Sequence, residues 1–275
     1  MSALAAADEQ FSIRVILLGT PLRLSVPPRV RDTVGQALEL LVGSGAPLGP
    51  DAPAHDLTVV ETDDGFAAVA PGGQLLADAS PIAVSIALLT WAAVGASPRL
   101  CVHAGVVSHP GGALVIPGHS GHGKTTLVGA LLQCGFGYIS DEVLAVDRTD
   151  RTLAPFRRPL SLNHDVWTVL GLPASELPPA GTEVAVDHRR LGRLGTADHV
   201  ADIVLTRRTG RTASIDRVPR GAAVEPLVSS CFNHFVAPES SFRTIAAIAR
   251  NANVWLAEYR DAPELASLLA TRFGT

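Results

Sequence analysis

Gly118-His-Ser-Gly-His-Gly-Lys124-Thr125 reads G-x-x-x-x-G-K-T, the spacing of a loop that wraps phosphate. Glycines at those positions let backbone N–H groups turn inward toward phosphate oxygens, and the N-terminus of a following helix adds partial positive charge. Lys124 would then reach the β- and γ-phosphates of a nucleoside triphosphate, and the Thr125 hydroxyl would sit on Mg²⁺. The expected nucleotide-binding residues are Gly118, Ser120, Gly121, His122, Gly123, Lys124, Thr125 and Thr126, with ATP and Mg²⁺ as cofactors. The imidazoles of His119 and His122 occupy free positions of the pattern and are expected to face solvent. Lys124 is the only lysine in the chain. A sequence that elsewhere uses arginine keeps a compact ammonium where a phosphate loop requires one.

Asp141 follows Lys124 closely, and Glu142 stands beside it. Carboxylates just after a loop helix suit phosphoryl transfer for two reasons. One helps to hold the Mg²⁺ that bridges the phosphates, and another accepts the proton of an acceptor hydroxyl. An aspartate that merely ends a strand in a turn is the plainer alternative. His103 lies on the strand before the loop strand, where alternation places Cys101, His103 and Gly105 on one face. It is a candidate to face the phosphates, or an ordinary structural histidine. Arg157 and Arg158 suit a clamp on phosphate or on an anionic acceptor, and equally a solvated pair. Arg189, Arg190, Arg193, Arg207, Arg208 and Arg211 read first as surface charge, and His109 as a turn residue without a role.

The elements needed to position these groups are legible around the loop. Ala113–Pro117 is a short apolar run that predicts a strand, and apolar residues at 127, 128, 131 and 132 predict a helix face after it. The preceding strand, 101–108, joins the loop strand through a turn at 109–112. So short a connection forces antiparallel pairing, because a parallel pair needs a crossover of a dozen or more residues. Gly135 stops the helix, and a strand then runs through 136–140 to a tip at Asp141-Glu142. Downstream, 200–206 and 213–218 read as a hairpin around Arg207–Arg211, and helix, strand and helix follow at about 239–250, 253–258 and 262–270. Residues 171–182 are rich in proline and glycine and read as loop, and 163–199 gives little signal. Upstream, strands are predicted at 11–18 and 22–26 about a turn at Gly19, and at 57–62 and 66–70 about Asp63-Asp64-Gly65. Helices are predicted at 34–41 and 81–96. The expected organisation is a small α+β domain over 1–96 and a mixed-sheet core over 97–275, α/β with α+β character.

Composition narrows the function classes. With 275 residues, 47% hydrophobic and 17% charged, the chain can bury a large core. A net charge of −4 argues against a general nucleic-acid binder, which needs excess lysine and arginine. Cys101, Cys134 and Cys231 are widely spaced, odd in number and without a C-x-x-C pair, so neither a disulfide framework nor a zinc site is expected. The start of the sequence has no basic region followed by an apolar core. The most apolar stretch, 82–96, is shorter than the roughly 20 residues of a bilayer span. A cytoplasmic protein without membrane or nucleic-acid partners is the expectation.

His103-Ala-Gly105, then Gly118-x-Ser-Gly-x-Gly-Lys-Thr, then Gly135-Phe-Gly-Tyr-Ile-Ser-Asp141-Glu142 resembles the core of the HPr kinase/phosphorylase family, related in fold to phosphoenolpyruvate carboxykinase. The likeness is strongest over about 99–162 and does not cover 1–95. It implies Lys124 and Thr125 on phosphates and metal, Asp141 as the base, Asp141 and Glu142 with Thr125 around Mg²⁺, and His103 in the active site. The sequence departs from the family in having Asp-Glu where its enzymes usually have Asp-Asp, and Thr where they usually have Ser. The family's segment for docking the HPr protein is not recognisable, so the chain looks more like divergent relatives that phosphorylate a serine on a peptide precursor, such as a lasso peptide, or a small molecule. The implied activity is Mg²⁺·ATP-dependent phosphorylation of a hydroxyl on a peptide, protein or small-molecule acceptor. HPr kinases are typically hexamers, which raises the prospect of a homo-oligomer. The alternatives are a nucleotide-binding regulatory or assembly protein without transfer, and an ordinary P-loop ATPase or GTPase. Against the last, no Asn-Lys-x-Asp run for reading guanine is present.

Overall fold

The computed structural model describes residues 11–70, 73–118 and 123–275. The chain divides into two compact units, Met1–Ser97 and Pro98–Thr275. Both mix helix with strand. Among the described residues no helix is long and apolar enough to cross a membrane.

In the first unit, β1 (Phe11–Leu17) and β2 (Thr20–Val26) pair antiparallel. Leu18 and Gly19 form the turn, both at positive φ (52° and 84°), as a two-residue hairpin that follows the strand twist requires. The turn sits one residue earlier than Gly19-Thr-Pro21 predicts, because Thr20 and Pro21 already belong to β2. Helix α1 (Arg31–Gly43), β3 (Ala46–Pro47), β4 (His55–Thr62), β5 (Gly65–Ala70), β6 (Gly73–Asp78) and α2 (Pro81–Gly95) complete the unit. The sheet order is β3-β1-β2-β4-β5-β6, with β2 and β4 parallel and the other pairs antiparallel. Strand β2 alternates buried and half-buried residues along its length. Its inward Leu22, Leu24 and Val26 join Val34, Leu38 and Leu41 of α1 in the core. Helix α2 is apolar nearly all round, with Ser80 Oγ accepting from the Ala83 amide at its start (3.3 Å).

The second unit is built on one mixed sheet. Strands β7 (Leu100–His109) and β8 (Gly112–Pro117) pair antiparallel, as the short turn between them dictates. The α3 helix (Lys124–Gln133) follows the loop. Next come β9 (Gly137–Ser140), β10 (Val143–Val146), β11 (Leu153–Ala154), β12 (Leu160–Asn163), α4 (His164–Val169) and β13 (Glu183–Val186). The chain continues through β14 (Val200–Arg208), β15 (Ser214–Arg217), α5 (Val224–Ser229), α6 (Pro238–Asn251), β16 (Asn253–Tyr259) and α7 (Ala262–Phe273). The sheet order is β11-β10-β7-β8-β14-β16-β15, with β9 also on β7. Residues alternate between two cores. Leu114, Ile116, Val204 and Trp255 pack with α3 and α7 on one face. Val115, Ile203 and Val254 pack with α5 and α6 on the other.

Three expectations change. The hairpin of 200–206 with 213–218 does not form: β14 and β15 both pair with β16, which lies between them, parallel to one and antiparallel to the other. Local turn chemistry at Arg207–Arg211 was outweighed by the burial that a central β16 achieves with Val254, Trp255 and Ala257. The Asp141-Glu142 pair does follow the end of a strand, β9, but the chain does not leave the sheet there. Strands β9 and β10 run along the same edge of β7 on either side of the pair, with Ser140 opposite Val106 and Val143 opposite His103. The carboxylates therefore interrupt a nearly continuous strand. Third, the 163–199 region is ordered. Strands β12 and β13 pair antiparallel, and Asn163 caps α4 by accepting from the Val166 amide at 3.0 Å.

Candidate active site

Two glycines set the geometry. Gly123 is the N-cap of α3 at φ 77°, a left-handed backbone that glycine adopts without strain. Gly105 permits close approach: a Cβ there would lie 2.7 Å from Val128 Cγ2. Its absence lets α3 pack directly on β7, bringing the first turn of the helix to the edge where β9 gives way to β10.

Thr125 in that first turn lies 3.3 Å from Asp141, its Oγ1 donating to Oδ2. The Asp141 side chain has no exposed surface. Its other contacts come from Arg158, whose Nε donates to Oδ1 at 3.2 Å and Nη2 to Oδ2 at 3.4 Å, and from Tyr138, whose Oη lies 3.0 Å from Oδ1. Arg158 Nη2 also pairs with Glu142 Oε2 at 2.9 Å. Glu142 Oε1 faces His103 Nε2 at 3.6 Å, and the His103 ring stacks on Phe232 with centroids 5.2 Å apart. Backbone ties close the group: Gly118 N donates to His103 O (3.3 Å), and Ala104 N to Glu142 O (3.1 Å).

Lys124 is buried, and its ammonium is held below the ordinary lysine value chiefly by burial, with Glu142 and Asp141 opposing that shift. Burial pushes the Glu142 carboxyl up, against the pull of Arg158. Burial alone would lower the Arg158 guanidinium, but Asp141 and Glu142 beside it outweigh that and raise it. Tyr138 is pushed well above an ordinary phenol, first by burial and then by the Asp141 charge. The result is a largely buried cluster of two carboxylates and two cations around the helix N-terminus.

The structure thus brings together Lys124, Thr125, Asp141, Glu142 and His103. Ser120, Gly121 and His122, with His119, lie outside the described residues, so of the loop only Gly118 and Gly123–Thr125 are described. Thr126 turns the other way, with Gly123, into a cleft of about 790 Å³ that also meets Asn163, Asp165, Arg208 and Tyr259. Two smaller cavities, about 260 and 440 Å³, lie at the opposite, His109 end of the sheet. Arg158 is a partner of the carboxylates. Arg157 instead donates to the Gly195 carbonyl (3.0 Å). Arg189, Arg190 and Arg207 make surface pairs with Asp187, Glu176 and Glu258. His109, given no role above, is buried 3.2 Å from Asp202, which also accepts from Trp255 Nε1 at 2.7 Å.

Tyr138 and His188 were not foreseeable as site residues. Tyr138 reads as one more inward strand aromatic. His188 comes from 50 positions further on to stack on it, with ring centroids 4.2 Å apart.

The donor set fits Mg²⁺: a threonine hydroxyl and adjacent carboxylates are hard oxygen ligands, and this ion usually takes one or two carboxylates with the rest from phosphates and water. Among the described residues no cluster of three or more His, Cys, Asp or Glu suited to an all-protein metal cage is present. Compared with known proteins, the chain matches no protein-family model and no curated sequence.

Proposed function

We propose that this chain is a Mg²⁺·ATP-dependent phosphotransferase that phosphorylates a hydroxyl, in keeping with its resemblance to HPr kinases. The observation that carries the reading is the contact of Thr125 with Asp141 at the N-terminus of α3, with Lys124 buried alongside. Phosphate at the loop would meet the backbone N–H groups of the first turn and the Lys124 ammonium. Thr125 Oγ1, Asp141 and Glu142 would hold Mg²⁺, which when bound neutralises charge on the β- and γ-phosphates. Tyr138 and Arg158 Nε hold Asp141 Oδ1, while Oδ2, which also accepts from Arg158 Nη2, is turned toward Thr125 in the first helical turn. Oδ2 is the oxygen to orient and deprotonate an attacking hydroxyl. The cleft beyond Gly123 and Thr126 would receive the nucleoside, on the side of the loop away from the carboxylates.

A specific observation favours a second reading. Arg158 already bonds both carboxylates, and Asp141 has no exposed side-chain surface, as suits a protein that binds nucleotide to change conformation without transferring phosphate. Incubation with γ-labelled ATP, Mg²⁺ and size-fractionated host extract separates the two. A kinase labels an acceptor, and Asp141→Asn and Lys124→Ala abolish the labelling. Nucleotide binding without Asp141-dependent transfer leaves the regulatory reading.

A further inference from the structure

Eight large hydrophobic side chains are markedly exposed among the described residues, and five of them fall between positions 228 and 242: Val228, Phe232, Phe235, Val236 and Phe242. Scattered exposed apolar residues need no explanation, but a contiguous group marks a surface that something covers. This segment also has a defined address. Strand β8 leaves β7 at Pro117, opposite Ala104, where the chain enters the phosphate loop. Beyond that point residues 230–233 take over the edge of β7: His103 N donates to Ser230 O at 2.7 Å, and Phe232 N to Cys101 O at 2.9 Å. The segment therefore lies beside the loop, and Phe232 stacks on His103, which faces Glu142.

The aromatic side chains are exposed on a backbone that is firmly held. Asn233 is buried; its Oδ1 accepts from Cys101 N at 3.0 Å and its Nδ2 donates to Arg99 O at 2.8 Å. Arg148 joins the Asn233 carbonyl to Ser241, one residue before Phe242. Apolar rings presented on a fixed frame suit binding, because little freedom is lost when they are covered.

We infer that Phe232, Phe235 and Phe242 form the docking surface for the phosphate acceptor, and that this acceptor is a polypeptide carrying an apolar side chain close to the hydroxyl that is phosphorylated. This rests on the kinase reading above. The argument for this occupant is continuity: the patch begins at the ring stacked on His103 and extends away from the carboxylates, so a chain whose hydroxyl reached Asp141 would lay its neighbouring residues over the phenylalanines. A small hydrophilic acceptor would leave them uncovered.

The test uses the full chain, γ-labelled ATP with Mg²⁺, and two degenerate peptide libraries centred on serine, one with apolar and one with polar flanking residues. The apolar library is expected to be labelled at least tenfold faster. Phe235→Ser with Phe242→Ser should bring that rate down to the polar level while ATP hydrolysis to water stays unchanged. Phe235 and Phe242 are 64% and 58% exposed, so the substitutions leave the core intact. Equal labelling of the libraries, or a preference that survives the substitutions, overturns the inference. So does labelling of neither library by a protein that binds ATP. A concentration-dependent dimer that the double variant abolishes also overturns it, by assigning the patch to a second copy. Failure to bind ATP at all would instead refute the kinase reading.

Discussion

The phenol of Tyr138 lies 3.0 Å from Asp141 Oδ1 and 3.0 Å from the Arg158 carbonyl oxygen. Its single proton serves one acceptor at a time, so the ring ties the candidate base to the arginine segment that neutralises it. Tyr138→Phe keeps the ring and removes the tie. A stability loss of about 1 kcal/mol is expected, with transfer slowed roughly ten- to hundredfold through misplacement of Asp141 and ATP affinity unchanged. Steady-state kinetics beside nucleotide titration check this; an unaltered kcat would mean that Arg158 alone positions the carboxylate.

Arg158 compensates two buried acids at once. Arg158→Met strands them and should cost about 3–5 kcal/mol in urea unfolding. Adding Asp141→Asn and Glu142→Gln removes the uncompensated charges and should recover most of that loss. If the triple variant is as unstable as the single one, packing of the arginine stem, rather than its charge, is what matters.

Lys124 is buried beside Asp141 and Glu142, so its part in nucleotide binding is read from the gain that ligand adds rather than from the stability of the free protein. Mg²⁺·ATP at a hundred times its Kd stabilises a binding protein by about 2.7 kcal/mol. Thermal unfolding should show that gain in the wild type and none in Lys124→Ala. Equal gains in both would exclude the loop as the site.

His188 is fully buried, and neither ring nitrogen has a hydrogen-bond partner among the described residues. Burial holds its pKa down at about 4, against an ordinary 6.5. The unfolded chain therefore takes up this proton first as pH falls. Stability should drop from about pH 6.5 to pH 4 and then level off, a contribution on the order of 3 kcal/mol. His188→Phe preserves the stack on Tyr138 and should flatten that part of the pH profile. An unchanged slope in the variant would place the titration elsewhere.

How much of this could be read from the sequence depended on how local the cause was. The Asp63-Asp64 turn, the antiparallel β7–β8 pair and α3 follow from short-range patterns, and the structure contains them; the first hairpin is also present, with its turn one residue earlier than its glycine and proline suggest. Lys124, Thr125, Asp141 and Glu142 converge because a strand, a loop and a helix place them within a few residues of one another along the sheet. The partners that hold Asp141 were less accessible. Arg158 offered two opposite readings, and Tyr138 carries its hydroxyl on a residue that patterning assigns only to the core. The pattern of β16 predicts a strand, but nothing local shows that it separates β14 from β15. That arrangement is decided by contacts about fifty positions apart, such as Trp255 with Asp202.

The same insertion has a consequence for how the protein is made. While a ribosome is still adding residues up to Asn251, β14 can rest on β8, but its other edge is open and the Asp202 carboxylate has neither the Trp255 indole nor the Asn253 amide to receive. Ile203, Val204 and Leu205 then form a bare apolar edge on an unfinished sheet. One late strand closes that edge, joins the two sides of the sheet and supplies the missing donors together, so the sheet stays open to misassociation until β16 is in place.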